Sequence, residues 1–193
     1  MNTDELLRQY DNGKRDFILA NLSDACLTER CLVQIDLSQS QLIDANLSQS
    51  NLQCANLSSA VLTRATLWRS NLTSASLMSA NLNEARSIAA ILNGIDGDRA
   101  SLHKADLRLA SLRGANLTHV NLVGADLRYA DLTGVNLTGA NLSRANLTGA
   151  NLTKADLRGV TLAQAILENT NLSEASLIDV DLSCVDLRHA ILG

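Results

Sequence analysis

The chain has no proline, one tryptophan, one phenylalanine and two tyrosines among its 193 residues. The missing proline excludes a fibrous Gly-X-Y rod. The scarcity of rings leaves no row of aromatics on which the bases of a single-stranded nucleic acid could stack. Basic residues are outnumbered, 16 against 20 acids for a net charge of −4. No basic excess exists to hold a phosphate backbone, so direct nucleic-acid binding is not expected. No apolar run approaches the length of a membrane span, and the N-terminus lacks a basic leader with an apolar h-region. A soluble, cytoplasmic protein is expected, with no membrane partner. The cysteines, Cys26, Cys31, Cys54 and Cys184, are too few and too unevenly spaced for a disulfide framework, and free thiols in a reducing compartment are expected.

Site chemistry is absent as well. The chain contains no Cys-x-x-Cys or His-x-x-x-His pair, phosphate-binding loop, dinucleotide fingerprint or nucleophile elbow. His103, His119 and His189 fall at outward positions and form no cluster. No enzyme, cofactor or metal site is expected. The Asn-x-Ser/Thr triplets, as at Asn46, Asn136 and Asn151, are by-products of a repeat and carry no information about glycosylation.

That repeat is what the chain does contain. Every fifth residue from 17 to 192 is leucine, except Phe17, Ser87 and Gly97. Two residues before each stands a small residue, usually alanine, and one before it an asparagine or aspartate, as in Ala105-Asp106-Leu107 and Ala125-Asp126-Leu127. A period of five fits neither a helix nor a flat strand for long. Ala105 and Leu107 share a face, with Asp106 opposed. The next inward residue, Ala110, is an odd step further on, so the chain turns a corner at Arg108-Leu109. A short extended side and a corner, repeated without slippage, make a coil that stacks on itself at the strand spacing and buries a column of leucines.

The motif A-(D/N)-L-x-x is similar to that of the pentapeptide-repeat family, over roughly residues 15–193. The resemblance implies an all-β fold, a right-handed quadrilateral β-helix with four units per coil. Nine coils at about 4.8 Å each make a rod of roughly 43 Å. Residues 1–14 stand outside the repeat. Thr3 is expected to cap a short helix through Tyr10 that Asn12-Gly13 ends, and this helix to cover the open end of the coil. The stretch Leu6-Leu7-Arg8-x-Tyr10-x-x-Gly13-x-Arg15-x-Phe17 resembles the opening of cyanobacterial members, in particular one that promotes heterocyst differentiation.

Departures from the beat mark the places of interest. Arg30 occupies an inward position, which predicts a bulge or an outward swing. Trp68 is a lone outward tryptophan, a residue type enriched at binding hot spots. Residues 86–99 contain both Ser87 and Gly97. The favoured expectation is an irregular excursion folded onto the outside, since Ile88 and Ile91 would otherwise point into water; the alternative is a degraded length of coil. No helix follows Leu192, which leaves open a monomer with an exposed last coil or an end-to-end homodimer through it. With four sides, residues twenty apart stack, so Arg108 lies beside Arg128, and Lys104 and Arg144 flank Gly124. The acids Glu168, Glu174, Asp179, Asp181 and Asp186 gather further along.

These features point to a non-catalytic protein-binding adaptor with a polarised surface. Its candidate residues are Trp68, Ile88, Ile91, Lys104, Arg108, Arg128 and Arg144. The resemblance to the heterocyst-promoting relative implies a transcriptional regulator as partner and a role in cell differentiation. The alternative implied by the family is DNA mimicry, in which an anionic rod binds a type II topoisomerase (gyrase). The exposed arginines and the near balance of charge oppose that reading.

Overall fold

The computed structural model describes residues 2–183 and 185–192; Cys184 lies outside the described residues. Its one helix, α1, spans Thr3–Asp11. The expected cap is displaced by one residue. Asn2, not Thr3, is the N-cap, its side chain accepting the Glu5 N–H at 2.8 Å. Asparagine serves at least as well as threonine in that role, so the helix starts a residue earlier. Asp4 and Glu5 complement the dipole in the first turn. Leu6 and Tyr10, one turn apart, are buried in the same apolar core as Phe17. The Tyr10 hydroxyl donates to Val33 O at 2.9 Å, and the Arg15 guanidinium stacks 3.9 Å from the Tyr10 ring.

From Arg15 onward the chain coils with a period of twenty residues. Parallel rungs join Asp16 to Asp36, Asp36 to Asn56, and so on to Asp156 with Ser176. Successive coils therefore begin at Arg15, Ile35, Ala55, Ala75, Ile95, Ala115, Val135, Ala155 and Ala175. Each has four sides, whose inward leucines in the second coil are Leu37, Leu42, Leu47 and Leu52. Every side is too short for more than one rung. Leu107 N donates to Asp126 O at 2.8 Å, and Asp126 N to Ala105 O at 2.9 Å. The pattern recurs down the rod and satisfies the backbone of each coil against its neighbours.

The corners explain two columns of the repeat. Among the described residues these are four-residue turns, closed, except at Arg30, by a bond such as Ala110 N to Leu107 O at 3.0 Å. Their third residue has positive φ, whether glycine, as at Gly134 (+65°), or not, as at Leu109 (+59°) and Tyr129 (+59°). The asparagine or aspartate before each leucine accepts the N–H two residues on, as Asn136 Oδ1 does from Thr138 at 3.0 Å. This Asx bond holds the chain into the turn.

The excursion expected at 86–99 is not there. Ser87 N donates to Asp106 O at 2.8 Å and Gly97 N to Asn116 O at 2.7 Å, both in the ordinary register. Arg86, Ile91 and Asp96 make ordinary rungs on both sides. Gly97 is tolerated because its neighbours occupy the space a side chain would fill. A Cβ there would lie 2.8 Å from Leu117 Cδ2 and 3.9 Å from Ile95 Cδ1. Ile95, standing where alanine usually does, is buried and supplies the missing apolar volume. Ser87 is buried as well, and the ladder above and below it holds the backbone in place.

Arg30 resolves as an outward swing without a bulge. It is exposed, while its carbonyl still accepts from Asn51 N at 2.8 Å. It belongs to the first coil, below which no other coil constrains it. Ser50 and Ser70, at inward positions, donate to Leu47 O and Leu67 O at 2.6 and 2.8 Å. At the other end the stacking loosens. Among the described residues of the last coil, only the fourth side keeps a rung past Ser176, between Asn171 and Ile191. Leu177, Leu182 and Leu187 are correspondingly only partly buried.

Candidate functional site

The third side of the coil, carrying Leu67, Ser87, Leu107 and Leu127 inward, differs from the others. Its outward positions place Trp68, Ile88, Arg108 and Arg128 in one column, with Arg69, Ala89, Leu109 and Tyr129 along the adjoining corner. The backbone bonds Arg69 N to Ile88 O, Ala89 N to Arg108 O and Leu109 N to Arg128 O fix this register, each at 2.9–3.0 Å. Between them lies a groove of about 300 Å3, lined by Ile88, Arg108, Leu109, Arg128 and Tyr129. Leu109 and Tyr129 are 61% and 62% exposed, although both could have been small corner residues. Elsewhere the exposed large apolar side chains, such as Ile18, Met78 and Ile178, lie apart from this column.

Four of the seven residues singled out in the sequence thus share one side: Trp68, Ile88, Arg108 and Arg128. Lys104 and Arg144 lie on the corner that leads into it, on either side of Gly124. The Lys104 chain leans over that glycine, whose Cβ would be 3.5 Å from Lys104 Cγ, and Arg144 Nε donates to Gln164 Oε1 at 3.0 Å. Ile91 is not with them. It starts the fourth side, between Asn71 and Ser111, and is exposed there. In an unbroken coil the corner at Ala89 separates it from Ile88.

The two arginines are not the bare basic line that their spacing suggests. Arg108 Nε and Nη2 grip Asp106 at 2.8 and 2.7 Å, and Arg128 grips Asp126 at 2.9 and 2.7 Å. Arg108 also approaches Asp126 of the next coil at 3.7 Å. The cause is local. In Asp-Leu-Arg the first and third side chains project from the same face of a short extended side, two residues apart. Burial pushes the Asp126 carboxyl up, but the side-chain and backbone hydrogen bonds from Arg128 outweigh it, so the group sits below the ordinary aspartate value. The hydrogen bonds they donate to their aspartates raise both guanidinium groups above the usual arginine value. These bidentate pairs fix the planes of Arg108 and Arg128 beside the groove.

Arg69, Arg86, Leu109 and Tyr129 were missed in the sequence. The available signal was the spacing of twenty, which puts Leu109 and Tyr129 on the same corner. Arg69 lies over the Trp68 ring at 4.8 Å. Tyr129 leans over Gly149, where a Cβ would come within 2.6 Å of its ring.

No group of three or more potential metal ligands assembles among the described residues. Asp98, Thr118 and His119 do meet on the first side. Thr118 Oγ1 donates to Asp98 Oδ1 at 2.7 Å, and His119 Nδ1 lies 3.3 Å from the same oxygen. The hydroxyl is directed at the carboxylate and not at the imidazole, so the trio lacks a nucleophile–base hydrogen bond. Bonds from Thr118 and then His119 hold Asp98 below its ordinary value. No helix among the described residues is long and apolar enough to cross a membrane.

The chain belongs to the pentapeptide-repeat family. The family model for pentapeptide repeats matches eight copies across residues 20–118 and 121–193. Among solved structures, the chain is similar to HetL, a pentapeptide-repeat protein involved in heterocyst differentiation regulation from the cyanobacterium Nostoc sp. strain PCC 7120. The identity is 37%, over 99% of this chain and 92% of that one, with a TM-score of 0.63. It shares its fold with a trypsin-treated form of QnrB1, a plasmid-mediated fluoroquinolone resistance protein. That match has a TM-score of 0.80 at 18% identity and covers 91% of each chain. No curated protein matches the chain.

Proposed function

We propose that this chain is a non-catalytic protein-binding scaffold that acts in the regulation of cyanobacterial cell differentiation, with the third side as its docking surface. The observation that carries the reading is the patch itself. Trp68, Ile88, Leu109 and Tyr129 lie beside fixed arginines on four adjacent coils. Apolar patches rimmed by polar groups mark interaction sites, and tryptophan, tyrosine and arginine dominate binding hot spots. Similarity to HetL supports a regulatory protein as the partner. A topoisomerase-binding DNA mimic is less favoured, because duplex DNA offers dense negative charge on every side and this side carries arginines. We take the coil to be right-handed, as the family resemblance implies, which a crystal structure would check. A cytoplasmic location fits the exposed free thiols of Cys26, Cys31 and Cys54.

The test is affinity capture from a Nostoc lysate with the chain and a Leu109→Gly/Tyr129→Gly variant. Both positions have positive φ, so glycine removes the side chain without straining the corner. One saturable partner, lost with the variant, is expected. A partner held equally by both baits would refute the third side as the surface. Capture of gyrase subunits by both would favour DNA mimicry.

A further inference from the structure

We infer that the groove takes an acidic segment of a protein partner, anchored by one large apolar side chain. This rests on the docking reading above and adds the chemistry of what docks. Ile88, Leu109 and Tyr129 give the groove its apolar surface, and its volume of about 300 Å3 accommodates one aromatic or branched side chain. Arg108 and Arg128 line its rim. Each uses Nε and Nη2 on its own aspartate, and among the described residues no hydrogen bond engages Nη1 of either. Arg86, exposed in the neighbouring coil, makes no ion pair among the described residues. Three donors thus follow one another over two coil steps of about 4.8 Å each. The aspartates fix two of these guanidinium planes in advance, so a carboxylate arriving there orders fewer side chains than it would on free arginines.

The charge census supports the same partner. On this side and its two bordering corners, over the coils from Ala55 to Gly134, stand Arg69, Arg86, Lys104, Arg108 and Arg128, with Arg64 already paired to Asp44 of the preceding coil, against Glu84, Asp106 and Asp126. A locally basic patch on a chain of net charge −4 selects and steers an acidic partner. The first side carries Asp16, Asp36, Asp96, Asp98, Asp156 and Asp179 against Arg15, Arg99 and Arg158, so it does not share the basic excess of the third. A nucleic acid fits less well. Asp106 and Asp126 line the track its phosphates would follow, and Trp68 and Tyr129 stand three coils apart, too far to make a stacking platform.

The test is fluorescence anisotropy on the full chain with labelled peptides of about twelve residues. One alternates Glu and Leu around a central Phe. In the second every Glu is Lys, and in the third the Phe is Ser. A single-stranded oligonucleotide of about twelve nucleotides is the fourth probe. The expected result is saturable binding of the first, with each other probe at least about tenfold weaker. The same loss is expected for the first peptide on the Leu109→Gly/Tyr129→Gly variant and, separately, on Arg86→Gln/Arg128→Gln, with circular dichroism and melting curves verifying the fold. Equal or tighter binding of the Lys peptide or the oligonucleotide overturns the inference, as does binding that neither variant weakens. Competition separates the two readings. If a captured partner depends on the patch yet the Glu peptide does not displace it, the acidic chemistry falls and the docking surface stands. If capture ignores the patch, both fall.

Discussion

Replacing Gly149 by alanine tests whether the groove wall is built by the corner of the next coil. Gly149 has φ of +68°, and a Cβ there would stand 2.6 Å from both Cδ1 and Cε1 of Tyr129. Two costs follow. The left-handed backbone costs an L-residue about 1 kcal/mol more than glycine. The ring must also swing off the corner, and re-exposing about 40 Å2 of apolar contact at 25 cal/mol per Å2 adds about 1 kcal/mol. Gly134 supplies the control. Its φ is +65°, but nothing lies within 4 Å of the added Cβ, so Gly134→Ala carries the backbone cost alone. For a chain of this length 1 kcal/mol lowers Tm by roughly 2–4 °C. Gly134→Ala should therefore lose about 3 °C and Gly149→Ala about 6 °C in thermal melts followed by circular dichroism. In a Tyr129→Gly background the extra loss at Gly149 should vanish. Equal losses at the two glycines, or an extra loss that survives removal of Tyr129, would refute the argument that Tyr129 is seated on Gly149.

Two further outcomes follow from the packing and the charges. Ile95→Ala should cost about 3–4 kcal/mol in urea unfolding, towards the upper part of the range for such truncations, because Gly97 beside it has no side chain to relax into the cavity. Asp36, Asp126 and Asp131 are partly buried; burial pushes their carboxyls up, but their hydrogen bonds together outweigh it and hold them below their ordinary values. A depressed carboxyl stabilises the fold fully above its unfolded value of about 3.9, and that contribution fades as pH falls through the folded value. Tm should stay level from about pH 7 to 5 and fall below about pH 4, with a shallower fall in Asp126→Asn; a melt series across pH checks both.

Much of this fold was legible because its physics is local. Small inward residues and leucines at fixed spacing can bury themselves only in a coil that turns every five residues. The outward asparagine or aspartate and the frequent corner glycine follow from the Asx bond and the left-handed turn. The segment around Ser87 and Gly97 was misread because a missing leucine looks like a broken coil from within one unit. The compensation comes from elsewhere. Ile95 fills from two residues before, Leu117 from the following coil, and the rungs on both sides hold the backbone in register.

The candidate surface divides in the same way. Trp68, Arg108 and Arg128 are conspicuous in the sequence as large outward residues in a repeat made mostly of small ones. Their alignment depends on the twenty-residue coil, which brings Ile88 between Trp68 and Arg108 and removes Ile91 around a corner. The structure also turned a supposed line of free positive charge into aspartate-bound guanidiniums beside a groove, and added Leu109 and Tyr129 to its walls. Sequence alone determined the period, the inward column and the corners, since each depends on contacts within one unit. Only the tertiary structure decided which side chains meet across coils, because that depends on how many units close a turn, and no five-residue unit contains that number.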